Sequence, residues 1–144
     1  MTETEIVKKL FLSQGDRIIT PKSYLRIIKH HALYLGANTK GEHFICENVI
    51  GKGVILTRVK DFFIKNFEVS KIERFVGTDF ERKVVVEKAI SKLGTNYDLW
   101  NFNCESFTNE ILHGKRFSNQ VNNAFIILTA IFSISLILST NESK

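Results

Sequence analysis

The C-terminal stretch constrains this chain more than any other feature. From Phe117 to Thr140 no residue is charged, and Ala124 to Thr140 reads AFIILTAIFSISLILST. The few polar members of that run are Ser and Thr, whose hydroxyls can bond back to their own helix backbone. At about 1.5 Å per residue the run spans roughly 26 Å, near the short limit for a hydrocarbon core of about 30 Å. The sequence therefore predicts a transmembrane anchor over residues 121–140, tilted or slightly extended to fit. The competing expectation is a buried core helix. Apolarity all round, with no amphipathic stripe, argues against that in so small a domain. Lys115 and Arg116 stand just before the uncharged stretch. The positive-inside tendency places them, and the main domain with them, in the cytoplasm, with only Asn141 to Lys144 emerging beyond.

What precedes the anchor must hold the function, and 144 residues favour one domain. Hydrophobic residues at 44% and charged residues at 24% suit a folded chain rather than a disordered one. The net charge of +5 is spread out: the densest basic stretch, Lys22 to Lys29, holds only Lys22, Arg26 and Lys29. Without a basic stripe or a recognition motif, no nucleic-acid partner is expected. An anionic membrane surface fits a modest positive balance. The N-terminus, Met1-Thr2-Glu3-Thr4-Glu5, is acidic where a secretory signal would be basic, so the two cysteines, Cys46 and Cys104, are expected as free thiols in a reducing compartment. Neither has a CxxC partner, and no metal or other cofactor is expected.

Patterning predicts an α+β fold in which helices pack an antiparallel sheet. Glu3 to Leu12 reads as a short amphipathic helix in an N-terminal lead-in over 1–13. Gly15-Asp16 turns into a strand at Arg17 to Thr20, and Pro21 to Ile28 reads as an irregular lead-in. His31 to Leu35 and His43 to Val49 form a hairpin, and Val54 to Val59 adds a strand. Asp61 to Phe63 gives a helical turn, and Val69 to Phe75 a further strand. From Asp79 the period becomes helical through Val84, Val85, Ala89, Ile90 and Leu93, with Gly94 as a C-cap. Tyr97 to Phe102 reads as a loop, and a second helix runs from about Asn103 to Leu112, stopped by His113-Gly114.

That second helix carries the chemistry. Asn103 is a good N-cap and leaves Cys104 at the first helical position, where unpaired N–H groups and the helix dipole favour a thiolate. A free cysteine is as readily a buried packing residue; Cys46, mid-strand among Phe44, Ile45 and Val49, is assigned that role. A thiolate catalyst also wants an imidazole. His30 and His31 are candidates, but strand alternation sends them to opposite faces, so only one can address Cys104. The imidazole in turn needs an orienting partner. On the neighbouring strand Glu47 is the first choice, because a carboxylate stabilises imidazolium best; His43 comes second and Asn48 third. His113, at a helix C-terminus, is read as a local cap.

Gly15-Asp16-Arg17-Ile18, His30-His31-Ala32-Leu33-Tyr34-Leu35-Gly36, Phe44 to Asn48 and Asn103-Cys104-Glu105-Ser106-Phe107, in this order, resemble the lecithin–retinol acyltransferase family, the circularly permuted branch of NlpC-type, papain-like thiol enzymes. The resemblance covers about residues 14 to 113 and gives the thiol domain bounds of 14–116. It implies Cys104 as nucleophile and His30 as base, because His31 stands where the family has Trp. Glu47 falls near the family's second histidine, as in related bacterial proteins with glutamate or asparagine there, and Ser106 replaces the histidine of Asn-Cys-Glu-His-Phe. The expected activity is a membrane-anchored thiol acyltransferase or hydrolase acting on lipid esters through a thioester. A peptidase or amidase of the same fold and a non-catalytic binding module are the alternatives.

Overall fold

A hairpin of β2 (Lys29–Ala37) and β3 (His43–Val49) lies at the centre of a five-stranded antiparallel sheet. The computed structural model describes residues 1–22, 27–66 and 68–141. β1 (Arg17–Pro21) flanks β2, β4 (Gly53–Arg58) flanks β3, and β5 (Lys71–Glu73) closes the far edge beside β1, giving the order β4-β3-β2-β1-β5.

Helices cover both faces, as strict alternation along the central strands requires. On one face Ala32, Tyr34 and Ile45 pack with Ile18 under Ile6 of α1 (Glu3–Lys9) and Val59 and Phe62 of α2 (Val59–Lys65). On the other, Leu33, Leu35, Cys46 and Val54 meet Val85 and Ala89 of α3 (Asp79–Ser91) and Phe107 and Ile111 of α4 (Cys104–His113). The α+β class and the antiparallel sheet agree with the sequence reading.

The differences are local and have physical causes. β2 starts at Lys29 instead of His31, because Thr20 pairs with His30 and Pro21 with Lys29; both histidines are thus inside the strand. Val59 is the first residue of α2 rather than the end of β4, and the expected turn at Asp61 to Phe63 extends to Lys65. β5 is only three residues long. The buried Asp16 carboxylate takes the Phe75 N–H at 3.0 Å and Arg74 Nη1 at 2.8 Å, pulling the chain off the sheet edge. α3 is capped by Thr78 and Glu81, each side chain satisfying the other's backbone N–H. It ends at Ser91 with Lys92 as its C-cap, and Gly94 lies beyond. Part of the expected lead-in at Pro21 to Ile28, residues 23–26, lies outside the described residues; Pro21 itself closes β1.

Gly53 is irreplaceable for a steric reason. It sits at φ 72°, and an added Cβ would stand 2.2 Å from the Thr95 carbonyl oxygen. That close approach lets Val54 exchange backbone hydrogen bonds with Thr95 and Gly94, docking the end of α3 on the rim of the sheet.

α5 (Asn119–Asn141) leaves the domain as a 23-residue helix, and no residue of its 18-residue window from Asn119 to Leu136 is buried. It is long and apolar enough to cross a membrane. Residues 142–144, expected beyond the span, lie outside the described residues.

Candidate active site

The chain before Cys104 is built to start a helix. Asn103 is extended, and its Oδ1 accepts from the N–H of Glu105 at 3.0 Å and of Ser106 at 2.9 Å. Its Nδ2 donates to the Leu99 carbonyl at 3.0 Å, tying the preceding loop to the cap. A second tie comes from Asn48 Nδ2, which donates to the Phe102 carbonyl at 2.6 Å. Cys104 follows at the first helical position, almost wholly buried, its Sγ 3.8 Å from the Lys29 carbonyl oxygen at the start of β2.

His30 is the next residue of that strand and is buried. Its Nε2 lies 2.7 Å from Glu47 Oε2, and Glu47 Oε1 accepts from Thr57 Oγ1 at 2.5 Å. The register explains this line: Glu47 pairs with Ala32 on β2 and Ile55 on β4, so its side chain lies diagonally between His30 and Thr57 on one face. Phe62 of α2 closes the far side, its ring centroid 6.2 Å from the imidazole. With Nε2 held by Glu47, the buried Nδ1 has no hydrogen-bond partner among the described residues, and Cys104 is near enough to bear on the protonation of the ring.

The electrostatics favour an ion pair. Burial is the largest single influence on His30 and opposes its charge, but the hydrogen bonds and charges of Cys104 and Glu47 outweigh it and raise the imidazole to about 9. Burial likewise opposes a Cys104 thiolate, yet His30, followed by the His31 backbone N–H, brings the thiol below its ordinary value. Glu47 is held down by His30 and Thr57 against the cost of burial. Cys46 is the contrast: desolvation pushes its thiol up to about 12.

The two adjacent histidines separate as alternation requires. His31 faces the α4 side, where burial first and then the Arg17 charge depress it to about 4, so it is neutral. It belongs to a second polar cluster. Arg17 Nη1 donates to Asn109 Oδ1 at 2.9 Å, and Glu105 Oε2 accepts from Ser118 Oγ at 2.6 Å and from the Gln120 N–H at 3.0 Å. His43 is placed away from His30: its Nδ1 is 2.7 Å from the Tyr34 hydroxyl and its ring stacks on Tyr34. Of the three orienting candidates, Glu47 alone reaches His30; Asn48 points to Phe102.

Three participants escaped the sequence reading. Thr57 sits on β4, and only the register shows that it reaches Glu47. Ser118 and Gln120 sit at the root of α5, where the apolar run masked them. Gln120 grips the backbone of Lys29, its Oε1 accepting from the N–H at 2.7 Å and its Nε2 donating to the C=O at 3.2 Å.

A cleft of about 470 Å³ opens over Cys104. Its walls are largely apolar: Ile28, Ile50, Tyr97, Leu99 and Trp100 from the domain, and Val121 and Ala124 from α5, with Lys22 and Lys29 also in the lining.

The site thus gathers a thiol at a helix N-terminus, an imidazole on the adjoining strand and a carboxylate against the imidazole, the residue types that thiol-based acyl transfer uses. The chain belongs to the lecithin retinol acyltransferase family, whose model matches residues 11–117. Membership carries acyltransferase or thiol-enzyme chemistry in general, and members of the family are typically enzymes. No curated protein matches the chain.

Proposed function

We propose that this chain is a membrane-anchored, cysteine-dependent acyltransferase or hydrolase of lipid esters, with a thiol domain over 14–116 and an anchor over 121–140. The observation that carries the reading is the placement of Cys104 at the first position of α4, next to the strand that bears the buried His30–Glu47 pair and beneath an apolar cleft whose wall includes the root of α5.

In this reading Cys104 Sγ attacks the ester carbonyl, forming a C–S bond. His30, protonated at Nδ1, delivers that proton to the leaving alkoxide as the C–O bond breaks, leaving a thioester and a neutral imidazole. The imidazole then takes a proton from water, an amine or an alcohol as that nucleophile attacks the thioester carbonyl; the C–S bond breaks, the Cys104 thiolate leaves, and the thiolate–imidazolium pair is restored. Glu47 keeps the ring oriented and stabilises its charged form. The N–H of Cys104 lies at a helix start, where no intrahelical acceptor claims it, while Asn103 satisfies the next two. It is therefore available to a developing oxyanion, a contact of about 3 kcal/mol where it has been measured. Lys115 and Arg116 before α5 favour a cytoplasmic domain. An anchor also raises the local concentration of bilayer substrates without any extra contact.

The test is incubation of the full chain with mixed lipids, followed by lipid mass spectrometry, against Cys104→Ala and Cys46→Ala. Loss of product with the first and its retention with the second is the expected result, with an acyl adduct on Cys104 by intact mass. Equal loss from both variants refutes the assignment. Turnover of peptide amides but not lipid esters would favour the peptidase reading, and no turnover of either a binding module.

A further inference from the structure

The cleft mouth carries large apolar side chains that neither core uses. Ile50, in the turn between β3 and β4, is 59% exposed; Leu99 and Trp100, in the loop before α4, are 53% and 59% exposed. They come from two separate loops and meet at one opening, beside Val121 and Ala124 of α5. From residue 122 onward the described side chains of α5 are exposed and mostly apolar, so the rim and the helix present one continuous apolar surface. Gln120, by gripping the Lys29 backbone, fixes the angle at which that helix departs. Lys22 and Lys29 stand at the same mouth, where cations meet anionic headgroups.

We infer that this rim is a bilayer-docking surface: Ile50, Leu99 and Trp100 settle into the leaflet that α5 enters, so that the Cys104 cleft opens onto acyl chains rather than water. The inference rests on α5 being a membrane anchor but adds to it, since a tether alone would let the domain hang clear of the lipid. An indole at the level of the headgroups suits the role, with an apolar body and a polar edge. Continuity with the helix and the two lysines favour an anionic leaflet over a protein partner as the occupant.

Trp100 is the sole tryptophan of the chain, so its fluorescence reports on the rim without background. The full chain would be reconstituted in vesicles of phosphatidylcholine doped with phosphatidylglycerol, with and without bromine on the acyl chains. Docking predicts a blue-shifted emission, quenched about twofold or more by the brominated lipid, because interfacial indole lies within reach of the chains. The exposed-site variant Ile50→Asp should weaken that quenching while the chain still floats with the vesicles. Flotation with a water-like emission indifferent to bromine overturns docking and leaves the anchor standing. A chain that fails to float overturns the anchor and docking together. Shielding of Trp100 without bromine quenching assigns the rim to a second copy of the chain and also overturns the inference.

Discussion

His30 Nε2 and Glu47 Oε2 lie 2.7 Å apart across neighbouring strands, both side chains buried, with Thr57 Oγ1 on the other carboxylate oxygen. A buried carboxylate with both oxygens engaged by donors holds the imidazole in one orientation and keeps it charged. Glu47→Gln preserves shape but removes the charge. Loss of orientation and charge at such a position costs roughly a hundredfold to ten-thousandfold in rate in comparable sites. The expected outcome here is a fall of that order in kcat, with His30 titrating well below about 9 by NMR. A variant with normal kcat, or with the His30 titration unmoved, would remove Glu47 from the mechanism.

The pH dependence follows from the same pair. Cys104 is depressed, so its thiolate persists below the ordinary thiol range; His30 is raised to about 9, so its proton is lost only there. Alkylation by iodoacetamide, which needs only the thiolate, should begin at a pH below that of an ordinary thiol and should not fall in alkali. Acyl transfer needs the His30 proton as well and should decline as pH rises through about 9. Coincident alkaline limbs in the two assays would contradict the division of roles. Cys46, pushed up to about 12, should remain unlabelled in the native chain across this range.

Much of this was legible in sequence because it is local. The Asn103 cap, the position of Cys104, the His43 to Val49 strand and the sorting of Ala32 and Tyr34 from Leu33 and Leu35 all follow from one residue's preference or from a period of two. The choice among Glu47, His43 and Asn48 was not decidable that way. Glu47 and His43 share a strand face, and only the register, Glu47 opposite Ala32, brings one of them to His30. The length of β5 was hidden for a similar reason. Val69 to Phe75 has strand-forming residues, but Asp16, distant in sequence, takes the Phe75 N–H that a longer ladder would use.

Asp16 supports a stability prediction. It is 1% exposed and accepts from the Ser13 N–H at 3.0 Å, the Phe75 N–H at 3.0 Å and Arg74 at 2.8 Å. Asp16→Ala strips several donors of their acceptor at once. Arg74 is half-exposed and regains water, so the cost falls on the N–H donors left dry, about 1–3 kcal/mol, a sizeable part of a small domain's stability. Urea unfolding of the reconstituted or detergent-held chain should show that loss; a change below about 1 kcal/mol would mean that water replaces the carboxylate without penalty.

Gln120 tests whether the anchor's root belongs to the site. Its amide holds both backbone groups of Lys29, whose carbonyl also lies 3.8 Å from Cys104 Sγ, while its own N–H and Ser118 Oγ occupy the carboxylate of Glu105, the residue after Cys104. The family match ends at residue 117, before either side chain. Gln120→Ala leaves the Lys29 groups to find other partners, a loss of about 1–3 kcal/mol if they remain dry. Since β2 continues directly into His30, the expected result is a drop in kcat larger than any rise in KM. That drop should come with slower iodoacetamide labelling of Cys104 at neutral pH, as the imidazole shifts relative to the sulfur. Gln120→Asn, too short to span both groups, should behave like the alanine variant. Wild-type labelling and kcat in both variants would show that α5 merely tethers the domain and that residues up to 117 complete the site unaided.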